Sequence, residues 1–125
     1  MREVGSRVWA VPAGRIPPHT TGPEPEFTSR DELCILNATG EEASLQITIF
    51  YTDRDPVGPY TLTVGARRVR HVRFNDLIDP EAIPMATDYA ALIESSVPIV
   101  VQHVRLDSRR AEDSMFGSLG FAGEG

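Results

Sequence analysis

Lysine is absent from this chain. All 12 basic residues are arginine, so its cationic contacts are planar and forked rather than point charges. Against them stand 18 carboxylates, giving a formal net charge of −6. That balance excludes non-specific attraction to nucleic acid or anionic lipid as a default property. Cysteine is nearly absent too. Cys34 is alone, which rules out an intrachain disulfide, and its place between Leu33 and Ile35 reads as a small buried hydrophobe rather than a reactive thiol. Long apolar runs are also missing. The longest stretch without a charged residue is the eleven from Pro56 to Ala66, too short to span a bilayer as a helix. The apolar run Val8–Val11 is stopped by Pro12 before it reaches signal-peptide length. A cytoplasmic protein without membrane insertion is the expectation by elimination. Asn37-Ala38-Thr39 matches the glycosylation pattern, but without secretion the match is empty.

The signatures of catalysis are missing as well. There is no G-x-S-x-G, no HExxH and no H-x-H pair. No Gly-rich loop leads from a strand into a helix, so nucleotide phosphate binding has no support. His19, His71 and His103 are three imidazoles without a diagnostic ligand spacing. Neither a metal nor a cofactor is expected, and the chain does not read as an enzyme.

What is present is strand character. At 125 residues the chain is one domain by length and can bury roughly two-thirds of its unfolded surface. Val8–Val11 reads as a first strand, followed by a long proline-rich connection, Gly14–Asp31. Glu32–Asn37 is apolar on both faces and reads as buried. Glu41–Thr52 alternates cleanly, with Ala43, Leu45, Ile47, Ile49 and Tyr51 on one face, as a half-buried antiparallel strand does. Tyr60–Val64 alternates again. In Arg67–Phe74 the parity of Val69 conflicts with that of Val72 and Phe74, which predicts a bulge near Arg70 or an outward Val69. Asn75–Asp88 is a second long connection, crossing between sheets. Tyr89–Glu94, a turn at Ser95-Ser96 and Pro98–Leu106 read as a hairpin. A short helix is expected over Arg109–Phe116. The fold class is therefore all-β: an antiparallel β-sandwich, or flattened barrel, of about seven to eight short strands with a short C-terminal helix or tail. Residues 1–116 form the domain and 117–125 a mobile Gly-rich tail.

One pattern occurs twice. His71-Val72-Arg73-Phe74-Asn75 and His103-Val104-Arg105-Leu106-Asp107 share the order His-Val-Arg-apolar-Asn/Asp. Alternation puts His71, Arg73 and Asn75 on one face, and His103, Arg105 and Asp107 on one face, with the intervening apolar residues turned to the core. If the strands are neighbours, these six residues form a binding surface for an anionic or polyhydroxylated ligand. The same arrangement fits a solvated face with cross-strand ion pairs. Arg67, Arg68 and Arg70 form, with Arg73, the one basic block. It reads as a contact surface or salt-bridged rim, and DNA contact there is opposed by the net charge. The acidic segment Gly22–Phe27, with Pro23, Glu24 and Pro25 at its centre, reads as a docking segment or a rigid loop.

Several longer segments carry a resemblance: Ile16-Pro17-Pro18, GPEPEF (22–27), CILNA (34–38), ITIFY (47–51), DPVGPYTLTV (55–64), ARRVRHVRFNDL (66–77), Ile83-Pro84 with Thr87-Asp88, and PIVVQHVRLDSRRAE (98–112). In this order, over roughly residues 8 to 112, the chain resembles the sensory rhodopsin transducer family. The resemblance implies a small β-sandwich that assembles as a homotetramer. It implies a protein that relays a light signal without catalysis, as the soluble cytoplasmic partner of a membrane sensory rhodopsin. It also carries two further expectations: a carbohydrate-like ligand, and an association with DNA linked to transcriptional regulation. It supplies no catalytic residues.

Overall fold

The computed structural model describes residues 4–16, 30–106, 115–119 and 121–122. Among these residues the chain forms eight strands: β1 (Ser6–Gly14), β2 (Arg30–Asn37), β3 (Ala43–Tyr51), β4 (Val57–Val64), β5 (Arg68–Arg73), β6 (Tyr89–Leu106), β7 (Met115–Leu119) and β8 (Phe121–Ala122). A single 3-10 turn, Phe74–Asp76, follows β5. Every strand pairing is antiparallel. The all-β reading holds. Among the described residues no helix is long and apolar enough to cross a membrane.

Two sheets share one strand. The first runs β4-β3-β6-β1-β8; the second is β5-β2-β6-β7. The 18 residues of β6 serve both. Its first half lies between β3 and β1, its second half between β2 and β7. The expected hairpin is thus a single strand. Ser95-Ser96 does mark an irregularity, but the chain changes sheets there instead of reversing. Ser6 pairs with Ile99 while Val8 pairs with Glu94, so residues 95–98 of β6 bulge away from β1. A bulge bends its strand, and Pro98 brings no N–H that would need a partner. Side chains satisfy the corner. The Trp9 indole N–H is shared between the carbonyls of Ser6 (3.0 Å) and Ile99 (2.9 Å), and the Ser44 N–H donates to Ser96 Oγ at 2.9 Å.

Alternation builds the core. Leu45, Ile47 and Ile49 of β3, Tyr60, Leu62 and Val64 of β4, and Leu33 and Ile35 of β2 are all buried. Val72 and Phe74 point inward as expected, and Val69 is the residue that faces out, 61% exposed; β5 pairs with β2 without a bulge. The connection 77–88 does cross between sheets. In β2 only one face is buried. Cys34 is half-buried on the outer face and Leu36 is 42% exposed, contrary to the expectation of burial on both sides. The expected helix ends inside β7, which holds Met115 and Phe116; residues 109–114 lie outside the described residues. Of the segment expected as a mobile tail, 117–119 pair with β6 and 121–122 with β1.

Asn37 ends β2 as a buried staple. Its Nδ2 donates to the carbonyls of Glu41 (2.7 Å), Gly65 (3.1 Å) and Val64 (3.2 Å), and its Oδ1 accepts from Thr39. A side chain engaged in this way is closed to glycosylation.

Trp9→Phe keeps the aromatic bulk at the corner and removes only the indole donor. We expect a loss of about 1–2 kcal/mol in urea denaturation, the cost of an unmade buried hydrogen bond.

Candidate functional site

Asp31 enters the interior from the start of β2, with 0% of its surface exposed. A carboxylate there is stable only where donors replace its water. Four groups do so. The Arg15 backbone N–H donates to Oδ2 at 2.7 Å. The Tyr89 hydroxyl donates to the same oxygen at 2.6 Å. His103 presents Nε2 to Oδ1 in a hydrogen bond. Arg105 Nε lies 3.8 Å from Oδ1, and its Nη2 donates to the Ala13 carbonyl at 2.7 Å.

Strand geometry assembles this cluster. Asp31 and Arg105 are cross-strand partners, and His103, two residues earlier on β6, shares their face. Tyr89 arrives from the far end of β6. Straight, the stretch from Tyr89 to His103 would be about 46 Å long; both residues contact one carboxylate, so β6 coils strongly. The Phe74 ring packs edge-on against Tyr89 (5.1 Å between centroids) and His103 (6.4 Å). Gly14 is required at its position. A Cβ there would lie 2.3 Å from Tyr89 Cε2, so any side chain would push the phenol off Asp31. Burial, and then the charge of Asp31, hold the Tyr89 hydroxyl well above the usual tyrosine range, so it remains a donor. Elsewhere in the core, burial pushes the Tyr60 hydroxyl up to about 12; it donates to the Glu81 carbonyl at 2.6 Å.

With three hydrogen bonds and a guanidinium on one buried carboxylate, the cluster reads as a structural hub. Its outer edge is different. Ala13, Gly14, Arg15, Asp88 and Arg105 line an open cleft of about 450 Å³. Arg15 and Asp88 pair across it at 3.4 Å, and both are exposed. The cleft offers guanidinium donors to a small anionic or hydroxylated molecule.

The two His-Val-Arg segments do not converge. β2 lies between β5 and β6, so the rows of side chains can be read across it. Val72, Leu33 and His103 form one row, facing in; His71, Cys34 and Gln102 form the next, facing out. His103 is 3% exposed and His71 lies on the opposite side of the same sheet. Val104, expected in the core, is half-buried on the outer side. The repeated pattern is in opposite phase in the two strands. Arg73 is held by Asp76 through Nε (3.1 Å) and Nη2 (3.2 Å), the salt-bridged rim. Asn75 sits in the 3-10 turn, and its Oδ1 is buried without a hydrogen-bond partner among the described residues. Asp107, His19, Pro23, Glu24 and Pro25 lie outside the described residues. Arg67, Arg68 and Arg70 are exposed and, among the described residues, form no ion pair. Arg70 Nη1 donates to the Thr63 carbonyl at 2.7 Å, tying β5 to β4.

Asp31, Tyr89 and Arg15 were not singled out by the sequence reading. The signal that locates them is the parity of β6. Tyr89, Ala91, Ile93, Val97, Ile99, Val101 and His103 are all buried and all odd-numbered, so phase is kept through the corner.

The profile of one family, described as Anabaena sensory rhodopsin transducer, matches residues 4–122. Among solved structures, one named "Anabaena sensory rhodopsin transducer" is 57% identical. The match covers 82% of this chain and 99% of that one, with a TM-score of 0.74. A second, the crystal structure of Thermotoga maritima 1070, is 31% identical, with 97% of each chain covered and a TM-score of 0.82. No curated protein matches the sequence.

Two outcomes follow from these buried groups. Asp31→Ala leaves Tyr89, His103 and Arg105 without their common acceptor, and chemical denaturation should record a loss of about 3 kcal/mol or more. The second concerns alkaline pH. Tyr60 and Tyr89 bind their protons more tightly folded than unfolded, where the ordinary value is 10.0. Their contribution is complete below pH 10 and is lost as pH rises through the folded values. Stability should therefore fall above pH 10, and tyrosinate absorbance from both residues should appear together with unfolding. The slope should be shallower in Tyr89→Phe.

Proposed function

The chain belongs to the Anabaena sensory rhodopsin transducer family, and on that premise we propose that it is a non-catalytic relay module acting by contact with a membrane photoreceptor of the sensory rhodopsin type. The observation that carries this reading is the family match over residues 4–122. Two features of the molecule support it. The interior ionisable groups of the hub are spent on one another rather than aimed at a substrate. The outer surface holds groups suited to contact. Arg67 and Arg68 are exposed at the start of β5, and next to them Val69, Leu36 and Val100 form an outward apolar row across β5, β2 and β6. The row is suited to pairing between copies and the arginines to a receptor surface, with Pro23, Glu24 and Pro25 as a further contact segment. In this reading the protein is a homotetramer on the cytoplasmic side of the membrane.

The cleft beside Arg15 and Arg105 supports a second reading, a binding protein for a small carbohydrate-like or anionic effector. A compound that raises the melting temperature of the wild type and of Arg15→Ala equally does not use this cleft.

The relay reading is tested with a sensory rhodopsin in lipid nanodiscs. Wild type should bind, and Arg67→Glu/Arg68→Glu should bind about tenfold more weakly with a slower on-rate. Failure of the wild type to bind the receptor in light and dark overturns it. Light scattering should give four times the 13.7 kDa chain mass, and a monomer at micromolar concentration removes the assembly from the reading.

A further inference from the structure

The outer face of β2 and β5 brings a histidine distant in sequence beside two donors of one strand. Glu32 and Cys34, two residues apart on β2, share a face, and His71 is the direct cross-strand partner of Cys34. The ligand atoms of all three lie within 4.8 Å of one another. Cys34 Sγ is 3.8 Å from Glu32 Oε1, and His71 Nδ1 is also 3.8 Å from that oxygen. We propose that these residues form a binding site for a borderline-soft divalent cation of the zinc class.

Geometry and chemistry both favour it. Bonds of about 2.0–2.3 Å in a tetrahedron place donors about 3.3–3.6 Å apart. The trio needs a contraction on the order of 1 Å to reach that spacing. His71, its side chain 59% exposed, supplies this by turning its ring. Thiolate, imidazole and carboxylate together are a zinc donor set; calcium and magnesium take oxygen alone. On binding, the Cys34 thiol releases its proton to solvent and the sulfur coordinates as thiolate. Three protein donors leave the fourth position open to water or to a group from another molecule.

The site has a mechanical meaning. Among the described residues β5 pairs only with β2, so it is an edge strand. An ion held by Cys34 and Glu32 on one side and His71 on the other clips that edge to the sheet. It does so beside the row of Val69, Leu36 and Val100. The site is independent of the relay reading, and either can fail alone.

Cobalt(II) reads the site directly. Cys34 is the sole cysteine, so a thiolate-to-cobalt charge-transfer band can arise only from it. Titration of the chelator-treated full chain with cobalt chloride should produce that band at one ion per chain. Zinc chloride should abolish it and should raise the melting temperature. Glu32→Gln, Cys34→Ser and His71→Ala should each weaken zinc binding at least about tenfold. All three side chains face outward, so the core is left in place; if one variant does not fold, the other two decide. Absence of the cobalt band, or undiminished zinc binding in any folded variant, overturns the proposal.

Discussion

A buried carboxylate is the constraint on which the rest of this molecule depends. Asp31 cannot sit in the interior unless polar partners surround it, and these come from the residue that follows β1 and from both ends of β6. Satisfying one side chain therefore fixes the curvature of the longest strand. It also fixes register. A slip of one residue between β2 and β6 would set Gln102 and Val104 against Asp31 and turn His103 out to solvent. A charge held in this way need not stabilise the fold more than an apolar cluster of equal volume. Its contribution here is to choose one alignment among several that the apolar residues alone would tolerate.

Much of the fold was legible in the sequence, and the exceptions have a common cause. Where polar and apolar residues alternate, as in β3 and β4, the inward face could be named residue by residue. The run Ile99-Val100-Val101 does not alternate, so it carries no phase of its own. Read from Val104 and Leu106 it suggests one face; read from Tyr89, Ala91 and Ile93 it gives the other, and that one is correct. Ser95-Ser96, read as a turn, cut the strand and discarded the phase information upstream of it. The candidate site was lost by the same step. Asp31, at the end of a long proline-rich connection, carries no local sign that it is buried. It becomes evident only when a histidine and an arginine on the inward parity of β6 need an acceptor opposite them.

The repeated His-Val-Arg pattern shows how far such motifs can be trusted. In β5 the valine is inside and the histidine outside; in β6 the reverse holds. Identical local sequences thus serve opposite purposes, one building a hub and the other presenting groups to the exterior. What the second sheet presents is a graded surface: basic at the start of β5, apolar across its middle, and rich in metal-type donors toward Arg73. That order follows from the register of three strands and would be invisible in any one of them.

Sharing β6 also sets how the molecule opens. A strand whose two halves belong to different sheets couples them, so loosening one half bears on the other. The pairs that β6 makes with β1 and β2 join residues far apart in the chain, so loop closure must precede them, and folding belongs to the slow, non-local regime. The same seam that delays assembly ties the two sheets to each other in the finished domain.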